Sequence, residues 1–240
     1  PIIAAWAVIR FGDWKMLFPI FAVIGIIAVI ALNFTKVKEI PVEHQSTFGE
    51  CLALLKDTSI LMLFLGIMMH VGIDVGVNTT APKLLIERTG MALAQAGYAT
   101  SIYFLFRTVG SLSGAFILAK YSSKTFFLVS ITMIGLAILG LFLVQGAIAI
   151  YFCIALIGFG NSNIFSIMFS QALLHLPSRN NEISGLMIMG LAGGAIFPLL
   201  MGIVSDALKS QIGAVIVLML CLIYLAFLSP RIKDSNKVAE

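Results

Sequence analysis

Long uncharged stretches separated by short polar turns dominate the pattern of this chain. Residues 16–34 contain no Asp, Glu, Lys or Arg, and none occurs between Lys124 and Arg179. Because a helix rises about 1.5 Å per residue, about 20 apolar residues cross the roughly 30 Å hydrocarbon layer of a bilayer. The pattern therefore predicts membrane-spanning helices, and the longest run is divided in two by a turn at Gln145 and Gly146.

The pattern predicts eight helical segments in all. A truncated helix over residues 1–9 and a complete one over 16–34 precede a polar connection that contains Pro41. Six helices follow, over residues 60–80 (ending near Pro82), 92–119, 125–144, 147–173, 183–205 (interrupted by Gly190, Gly193, Gly194 and Pro198) and 211–228. Since Pro1 follows no Met or charged stretch, we expect the chain to be a fragment of a longer protein.

This order of segments predicts four regions. Residues 1–35 hold the last two helices of a first half, residues 36–57 a cytoplasmic loop between halves, residues 58–230 a six-helix second half, and residues 231–240 a cytoplasmic tail. Glycine and proline interrupt the first and fifth helices of the six. Such a block is typical of a transporter half built from two inverted repeats of three helices.

Composition supports the membrane class and excludes others. Of 240 residues, 60% are hydrophobic and 11% are charged, and the mean hydropathy is +1.07. The net charge is +4, but the basic residues lie at the ends of apolar segments and form no patch with aromatic residues, which argues against nucleic-acid binding. Three distant cysteines indicate neither a disulfide framework nor a metal site. No catalytic or cofactor-binding motif is present, so we expect neither an enzyme nor a cofactor.

The positions of Lys and Arg predict the orientation. When alternate loops are assigned to one side, that side holds nine basic residues, namely Lys36, Lys38, Lys56, Lys120, Lys124, Arg179, Arg231, Lys233 and Lys237. The opposite side holds five, namely Arg10, Lys15, Lys83, Arg88 and Lys209. Cytoplasmic loops carry the excess of positive charge, so the C-terminus is predicted to be cytoplasmic. We expect a monomeric, multi-pass protein of the bacterial plasma (inner) membrane.

Three polar residues interrupt the apolar helix over residues 60–80. His70, Asp74 and Asn78 are four residues apart and so lie along one face of the helix. A carboxylate in hydrocarbon is costly unless it faces the bundle interior, a partner or water, and an intramembrane Asp is by default a functional-site hypothesis. The alternative is an interhelical hydrogen bond or ion pair with no substrate role.

The next helix contains the other charge within an apolar segment, Arg107. Tyr103, Arg107, Gly110 and Gly114 share one face, and the two glycines allow another helix to approach closely. Asp74 and Arg107 differ in depth by about a turn or two, which a long Arg side chain partly covers. We expect them to meet, either in a permanent structural ion pair or in one that breaks during transport.

Amides lie beside aromatic residues in the helix over residues 147–173. Asn161 and Asn163 are next to Phe159, Phe165 and Phe169. Amides supply donors and acceptors to the hydroxyls of a sugar, and its C–H faces stack on rings. The cluster therefore indicates a site for a sugar or another polyhydroxylated ligand, with interhelical hydrogen bonding by the asparagines as the alternative.

Three segments resemble one transporter family. Gly158–Leu173 reads GFGNSNIFSIMFSQAL and is similar to the tenth helix of the fucose/galactose/glucose:proton symporters of the major facilitator superfamily. Gly185–Asp206 contains GGAIFPLLMG and is similar to that family's eleventh helix. Val71–Gly76, VGIDVG, resembles its seventh helix with Asp74 in the acidic place. Two departures are Ser166 in place of the tenth-helix proline and Arg107, which lies one turn from the position of the family's eighth-helix arginine.

The resemblance implies an all-α membrane protein with the helix bundle of the superfamily, running from the end of helix 5 to helix 12. It implies a non-enzymatic secondary active transporter for proton-coupled uptake of a hexose or deoxyhexose by alternating access, with its proton-coupling carboxylates in the N-terminal half. It also implies that Asp74, Asn161 and Phe165 face the central cavity. Together with the polar helix faces above, this predicts substrate binding by Asp74, Asn78, Asn161, Asn163 and Phe165, and coupling or gating by His70, Asp74, Tyr103 and Arg107. The alternatives are an exporter or importer of a non-sugar molecule and a non-transporting sensor on the same fold.

Overall fold

The computed structural model describes residues 10, 13–35 and 47–234, and every regular element in these ranges is a helix. The chain divides into two compact units, Pro1–Gln45 and Ser46–Glu240. The helix predicted over residues 1–9, residues 36–46 of the predicted connection and residues 235–240 of the tail lie outside the described residues.

The first unit contains the predicted uncharged helix. Helix α1 is Leu17–Asn33, and a short 3-10 turn, Trp14–Met16, precedes it. Its 17 residues span about 25 Å at 1.5 Å per residue, close to the thickness of the hydrocarbon layer. The structure confirms this element to within one residue at each end.

The second unit contains six stretches that are long and apolar enough to cross a membrane, as predicted. Three of the crossings are each divided into two helices, and one further short helix precedes the first crossing. The helices are α2 (Phe48–Ala53), α3 (Thr58–Thr89), α4 (Leu93–Ala96), α5 (Tyr98–Leu118), α6 (Ser123–Leu143), α7 (Ala147–Asn161), α8 (Ile164–His175), α9 (Asn180–Met189), α10 (Gly193–Leu208) and α11 (Ile212–Leu228). The all-helical fold class is confirmed.

Helix α3 is longer than the pattern predicts. It continues through Pro82, where an end was predicted, and stops at Gly90, whose φ of 67° is left-handed and whose N–H donates to the carbonyl oxygen of Ile86. Proline removes one backbone hydrogen bond from a helix. The next turn nevertheless buries Leu84 and Leu85 almost completely, and this packing keeps the segment helical.

Two crossings change their helical path at small or polar residues. The crossing over residues 147–175 breaks at Ser162 and Asn163, between α7 and α8. The crossing over residues 177–208 passes through a 3-10 turn, Gly190–Ala192, so the interruption predicted at Gly190 is confirmed, whereas Gly193 and Gly194 are the first residues of α10. The interruption predicted at Pro198 is wrong, because α10 is continuous through it.

Part of the predicted polar connection is helical. Helix α2 is closed at its start by a capping box, in which Thr47 accepts from the backbone N–H of Glu50 and the Glu50 carboxylate accepts from the backbone N–H of Thr47. The pattern Thr-x-x-Glu satisfies two donors that a helix start leaves free. This local signal stabilises a short helix where charge and Pro41 indicated an irregular segment.

Helix α3 lies at the centre of the second unit. It packs most extensively against α10 and α11 and also contacts α5, α7 and α8. Residues along its whole length are buried, among them Ile60, Ile67, Ile73 and Leu85. Its central position directs His70 and Asp74 between helices, and their face of α3 is held in a defined place.

Asp57 anchors the start of α3. Its Oδ1 accepts from the backbone N–H groups of Ser59 and Ile60, at 2.8 and 3.1 Å, and its Oδ2 accepts from His175 Nε2 at 3.0 Å. The His175 hydrogen bond, with the two backbone bonds, holds the pKa of the Asp57 carboxyl below its usual value of 3.8. One carboxylate thus caps α3 and links it to the end of α8.

We expect Asp57→Ala to destabilise the second unit by about 1 kcal/mol through loss of the cap. Because the pKa of Asp57 is lowered by folding, its contribution is complete above pH 3.8 and is lost as the pH falls through the lower folded value. The Asn of Asp57→Asn still caps the helix but does not titrate. Melting temperatures in detergent at about pH 6 and about pH 3 should therefore differ more for wild type than for Asp57→Asn. Equal differences would contradict the assignment.

Candidate functional site

The Asp74–Arg107 ion pair joins α3 to α5. Arg107 Nη1 donates to Asp74 Oδ2 at 2.8 Å, and the two side chains are 30% and 16% exposed. The sequence predicted that the two charges meet, and the structure confirms the contact. Their partial exposure makes this pair the accessible end of the site.

Tyr103 connects the ion pair to the interior. The side chain is fully buried, one helical turn before Arg107 on α5, and its hydroxyl donates to Asp74 Oδ1 at 2.5 Å. Asp74 therefore uses both carboxylate oxygens, one for Tyr103 and one for Arg107. This arrangement satisfies a carboxylate that would otherwise be costly inside a helix bundle.

Asn161 extends the contacts to the end of α7. Its Nδ2 donates to the Tyr103 hydroxyl oxygen at 3.0 Å, and its Oδ1 is 2.9 Å from His70 Nδ1. Both Asn161 and His70 are at most 1% exposed. An amide oxygen only accepts hydrogen bonds, so His70 Nδ1 carries the proton in this arrangement.

These residues form a continuous hydrogen-bonded series, here called the polar chain: His70, Asn161, Tyr103, Asp74 and Arg107. Every donor in it points toward Asp74, because an ionised carboxylate only accepts. The charge of one partly exposed residue thus sets the direction of hydrogen bonds as far as a fully buried histidine.

Aromatic rings lie beside the buried end of the polar chain. The ring centroids of His70 and Phe165 are 6.3 Å apart, and those of Phe165 and Phe169 are 5.6 Å apart in a stacked arrangement. Phe165 is on α8, just after the break that follows Asn161. Phe165 is thus linked to the polar chain through the ring of His70, and the predicted use of the asparagines and the aromatic rings by one ligand stays a prediction.

Asn78 lies one turn beyond Asp74 on α3. Its Nδ2 donates to the backbone oxygen of Asp74 at 2.7 Å. Its Oδ1 is buried and has no hydrogen-bond partner among the described residues. Because buried polar atoms are normally paired, this oxygen is an unsatisfied acceptor in the interior of the bundle.

Asn163 does not join the polar chain. Its Nδ2 donates to the backbone oxygen of Gly110 at 2.9 Å and to Ser162 Oγ at 2.8 Å. A Cβ at Gly114 would lie 2.1 Å from the same nitrogen. The glycine pair of α5 therefore allows the close helix approach that was predicted, and the contacts of Asn163 favour a role in this packing.

The sequence did not indicate why Asn161 reaches Tyr103. A Cβ at Gly158 would lie 2.5 Å from the backbone oxygen of Tyr103, so α5 and α7 touch at this glycine. Gly158 precedes Asn161 by three residues and lies on the same side of α7. The spacing Gly-x-x-Asn was visible, but the identity of the facing helix was not.

Comparisons with known proteins agree with this architecture. The family model described as Major Facilitator Superfamily matches residues 1–197 and again residues 63–238. A Helicobacter pylori protein is 29% identical over 171 residues, which cover 68% of this chain and 41% of that protein. The glucose/galactose transporter of Brucella abortus is 29% identical over 167 residues, which cover 68% of this chain and 40% of the transporter. The chain thus spans about two fifths of the curated relatives that it matches.

A solved structure shows the same fold. The major facilitator superfamily transporter FucP in its outward conformation matches with a TM-score of 0.73 at 18% identity, over 92% of this chain and 55% of that one. A second structure, of the E. coli fucose:proton symporter FucP, matches with a TM-score of 0.70 at 18% identity over 90% of this chain and 55% of that one. The family model covers well over half of the sequence, and the fold agrees. The chain belongs to the major facilitator superfamily.

Proposed function

We propose that this protein is a secondary active transporter that couples the uptake of a hexose or deoxyhexose to the movement of protons. The polar chain carries the proposal, because it places a carboxylate, a guanidinium, a hydroxyl and an amide together inside an apolar helix bundle. Intramembrane ionisable residues of this kind mark substrate or ion pathways. In this proposal the protein works by alternating access, in which the two halves of the transporter rock about a central site.

The chemistry of the site suits a sugar. Asp74 accepts hydrogen bonds, Arg107 donates them, and Asn78 Oδ1 offers a buried acceptor without a partner. Phe165 offers an aromatic face near the same helices for the C–H side of a pyranose ring. Relatives described as a glucose/galactose transporter and a fucose:proton symporter support the same substrate class.

Asp74 is the residue that links substrate to charge in this proposal. A sugar hydroxyl that donates to Asp74 replaces either Tyr103 or Arg107, and a proton on Asp74 weakens its hold on Arg107. Either event changes the hydrogen bonds along the polar chain as far as His70. Asp74, Asn78, Asn161 and Phe165 form the proposed substrate set, with His70, Tyr103 and Arg107 as coupling or gating residues. Asn163, which the sequence also suggested for substrate binding, is left out because its contacts favour helix packing.

The protein is an integral membrane protein, and we propose its placement as follows. It lies in the bacterial inner membrane as a monomer, with residues 231–240 in the cytoplasm and residues 36–57 as the cytoplasmic loop between halves. The excess of Lys and Arg on that side supports this orientation. Residues 58–230 then form one half of the transporter and residues 1–35 belong to the other.

The test is uptake by the full-length protein in proteoliposomes. Radiolabelled glucose, galactose and fucose are offered with and without an inward proton gradient, beside protein-free liposomes and a protonophore control. We expect one of these sugars to accumulate only with the gradient. Equal uptake with and without the gradient would reject proton coupling, whereas no uptake of any sugar would reject this substrate class.

A non-transporting sensor is the second candidate, because the Asp74–Arg107 pair would also suit a permanent structural contact. Such a protein would bind a sugar without moving it. Binding measured by calorimetry together with no flux in the same preparation would favour the sensor. An exporter or an importer of a non-sugar molecule would show neither binding nor uptake in the sugar panel.

A further inference from the structure

A cleft opens at the end of the helix bundle where α8 and α11 terminate and α3 begins. Its cavity volume is about 140 Å³, which is less than the roughly 300–1,000 Å³ of a site that encloses a whole small molecule and suits part of a larger ligand. Its inner wall is aliphatic and consists of Met62, Leu63, Leu174 and Leu228. This cleft is lined by none of the residues of the polar chain.

The rim of the cleft is basic. Arg231, Lys233 and His175 line it together with the polar residues Ser59 and Gln171. The nearby carboxylate of Asp57 is bound to His175 and to two backbone N–H groups. Arg231 and Lys233 therefore leave an excess of positive charge over an aliphatic wall.

The backbone that carries the two cations is held in place by hydrogen bonds. The side-chain amide of Gln171, 8% exposed, donates to the backbone oxygen of Lys233 at 2.8 Å and accepts from the backbone N–H of Lys233 at 3.0 Å. Ile232 between them is buried. Asp234 accepts from the hydroxyl of Ser122 at the start of α6. The segment after α11 is thus bound to α8 and to the start of α6, and Lys233 lies at the cleft.

The position of Arg231 indicates how deep in the membrane the rim of the cleft lies. Leu220, Ile223 and Phe227 are 56–61% exposed and recur at the spacing of one helix face on α11, which suits contact with lipid tails. Arg231 is one turn beyond Phe227 and its guanidinium lies 5.7 Å from the centre of that ring. A cation at the end of a lipid-facing stripe lies at the depth of lipid headgroups.

We infer that this cleft binds an anionic phospholipid, whose phosphate lies between Arg231 and Lys233 and whose first acyl carbons contact the aliphatic wall. Basic pockets between membrane helices bind such headgroups. The combination of a basic rim and an aliphatic wall matches an amphipathic ligand, whereas a soluble phosphate would use the rim alone. The inference does not depend on the proposed transport function.

The test uses native mass spectrometry of the full-length protein in detergent. Phosphatidylglycerol and phosphatidylcholine with the same acyl chains are added in parallel, and inorganic phosphate and glycerol phosphate are added as competitors. We expect selective retention of phosphatidylglycerol that neither soluble phosphate displaces. No selective retention, or displacement by a soluble phosphate, would overturn the inference.

Three variants locate the bound lipid. R231Q/K233Q should weaken retention by about 25-fold, at roughly fivefold for each cation. K120Q/K124Q removes the same charge from exposed side chains outside the cleft and should retain wild-type binding. Ser59→Trp fills the cleft without changing its charge and should also abolish retention. Equal loss in the two double variants, or full retention in Ser59→Trp, would show that the lipid binds elsewhere.

Discussion

In the full-length protein, Asp74→Asn should reduce gradient-driven sugar uptake by roughly 30-fold or more, since truncating one partner of a hydrogen-bonded charge pair costs about 2–5 kcal/mol. We use the low end of that range because Arg107 is 30% exposed. The Asn side chain cannot accept from both Tyr103 and Arg107 through two charged oxygens. The polar chain therefore loses the group that sets its direction.

A double variant separates transport from structure. If the Asp74–Arg107 pair is only structural, Asp74→Asn combined with Arg107→Gln removes both charges and should restore uptake. If Asp74 binds substrate or couples protons, the double variant stays inactive although it folds. Asp206→Asn makes the same chemical change at an exposed carboxylate on α10 and should leave uptake unchanged. Normal uptake by Asp74→Asn would remove Asp74 from the mechanism.

All variants must be compared at equal amounts of folded protein. Size-exclusion profiles and melting temperatures in detergent give that amount, because Asp74→Asn leaves Arg107 without its charged partner. The ratio of variant to wild-type uptake, calculated per folded molecule, then measures the effect on transport alone. A variant that is folded but inactive supports the proposal, and one that is folded and active contradicts it.

The helical fold was predictable because one strong signal set it. Apolar runs of the right length, two of them interrupted by a single charge, predicted α1 and all six crossings of the second unit. The pattern was less informative about where helices end. It predicted that α3 ends near Pro82, but the burial of Leu84 and Leu85 keeps the chain helical as far as Thr89. Tertiary packing decided this boundary, and periodicity alone does not contain it.

The residues of the site were predictable, but their connections were only partly so. A charge inside an apolar run identified Asp74 and Arg107, and their depth allowed the predicted contact. The order His70, Asn161, Tyr103, Asp74 depends on which helices face each other, and this information is not in local spacing. The placement of Asn163 shows the same limit, because two similar asparagines two residues apart contact different groups on either side of a helix break.

Gly193→Ala should be the most damaging single-methyl change in the second unit. Gly193 begins α10, and a Cβ there would lie 2.2 Å from the backbone oxygen of Met68 and 2.8 Å from its carbonyl carbon on α3. A backbone atom cannot rotate away as a side chain can. The added methyl therefore forces α10 away from the central helix, at an expected cost of about 3 kcal/mol, the upper part of the usual range for overpacking.

Gly202→Ala is the matched control, because it adds the same methyl to the same helix where no atom lies within 4 Å. There we expect no loss, or a gain of about 0.5–1 kcal/mol from replacing a helical glycine. Melting temperatures of the two full-length variants in the same detergent measure the difference. If Gly193→Ala and Gly202→Ala have the same melting temperature, then α3 and α10 are not in backbone contact. The position of the polar face on α3 would then not be fixed by α10.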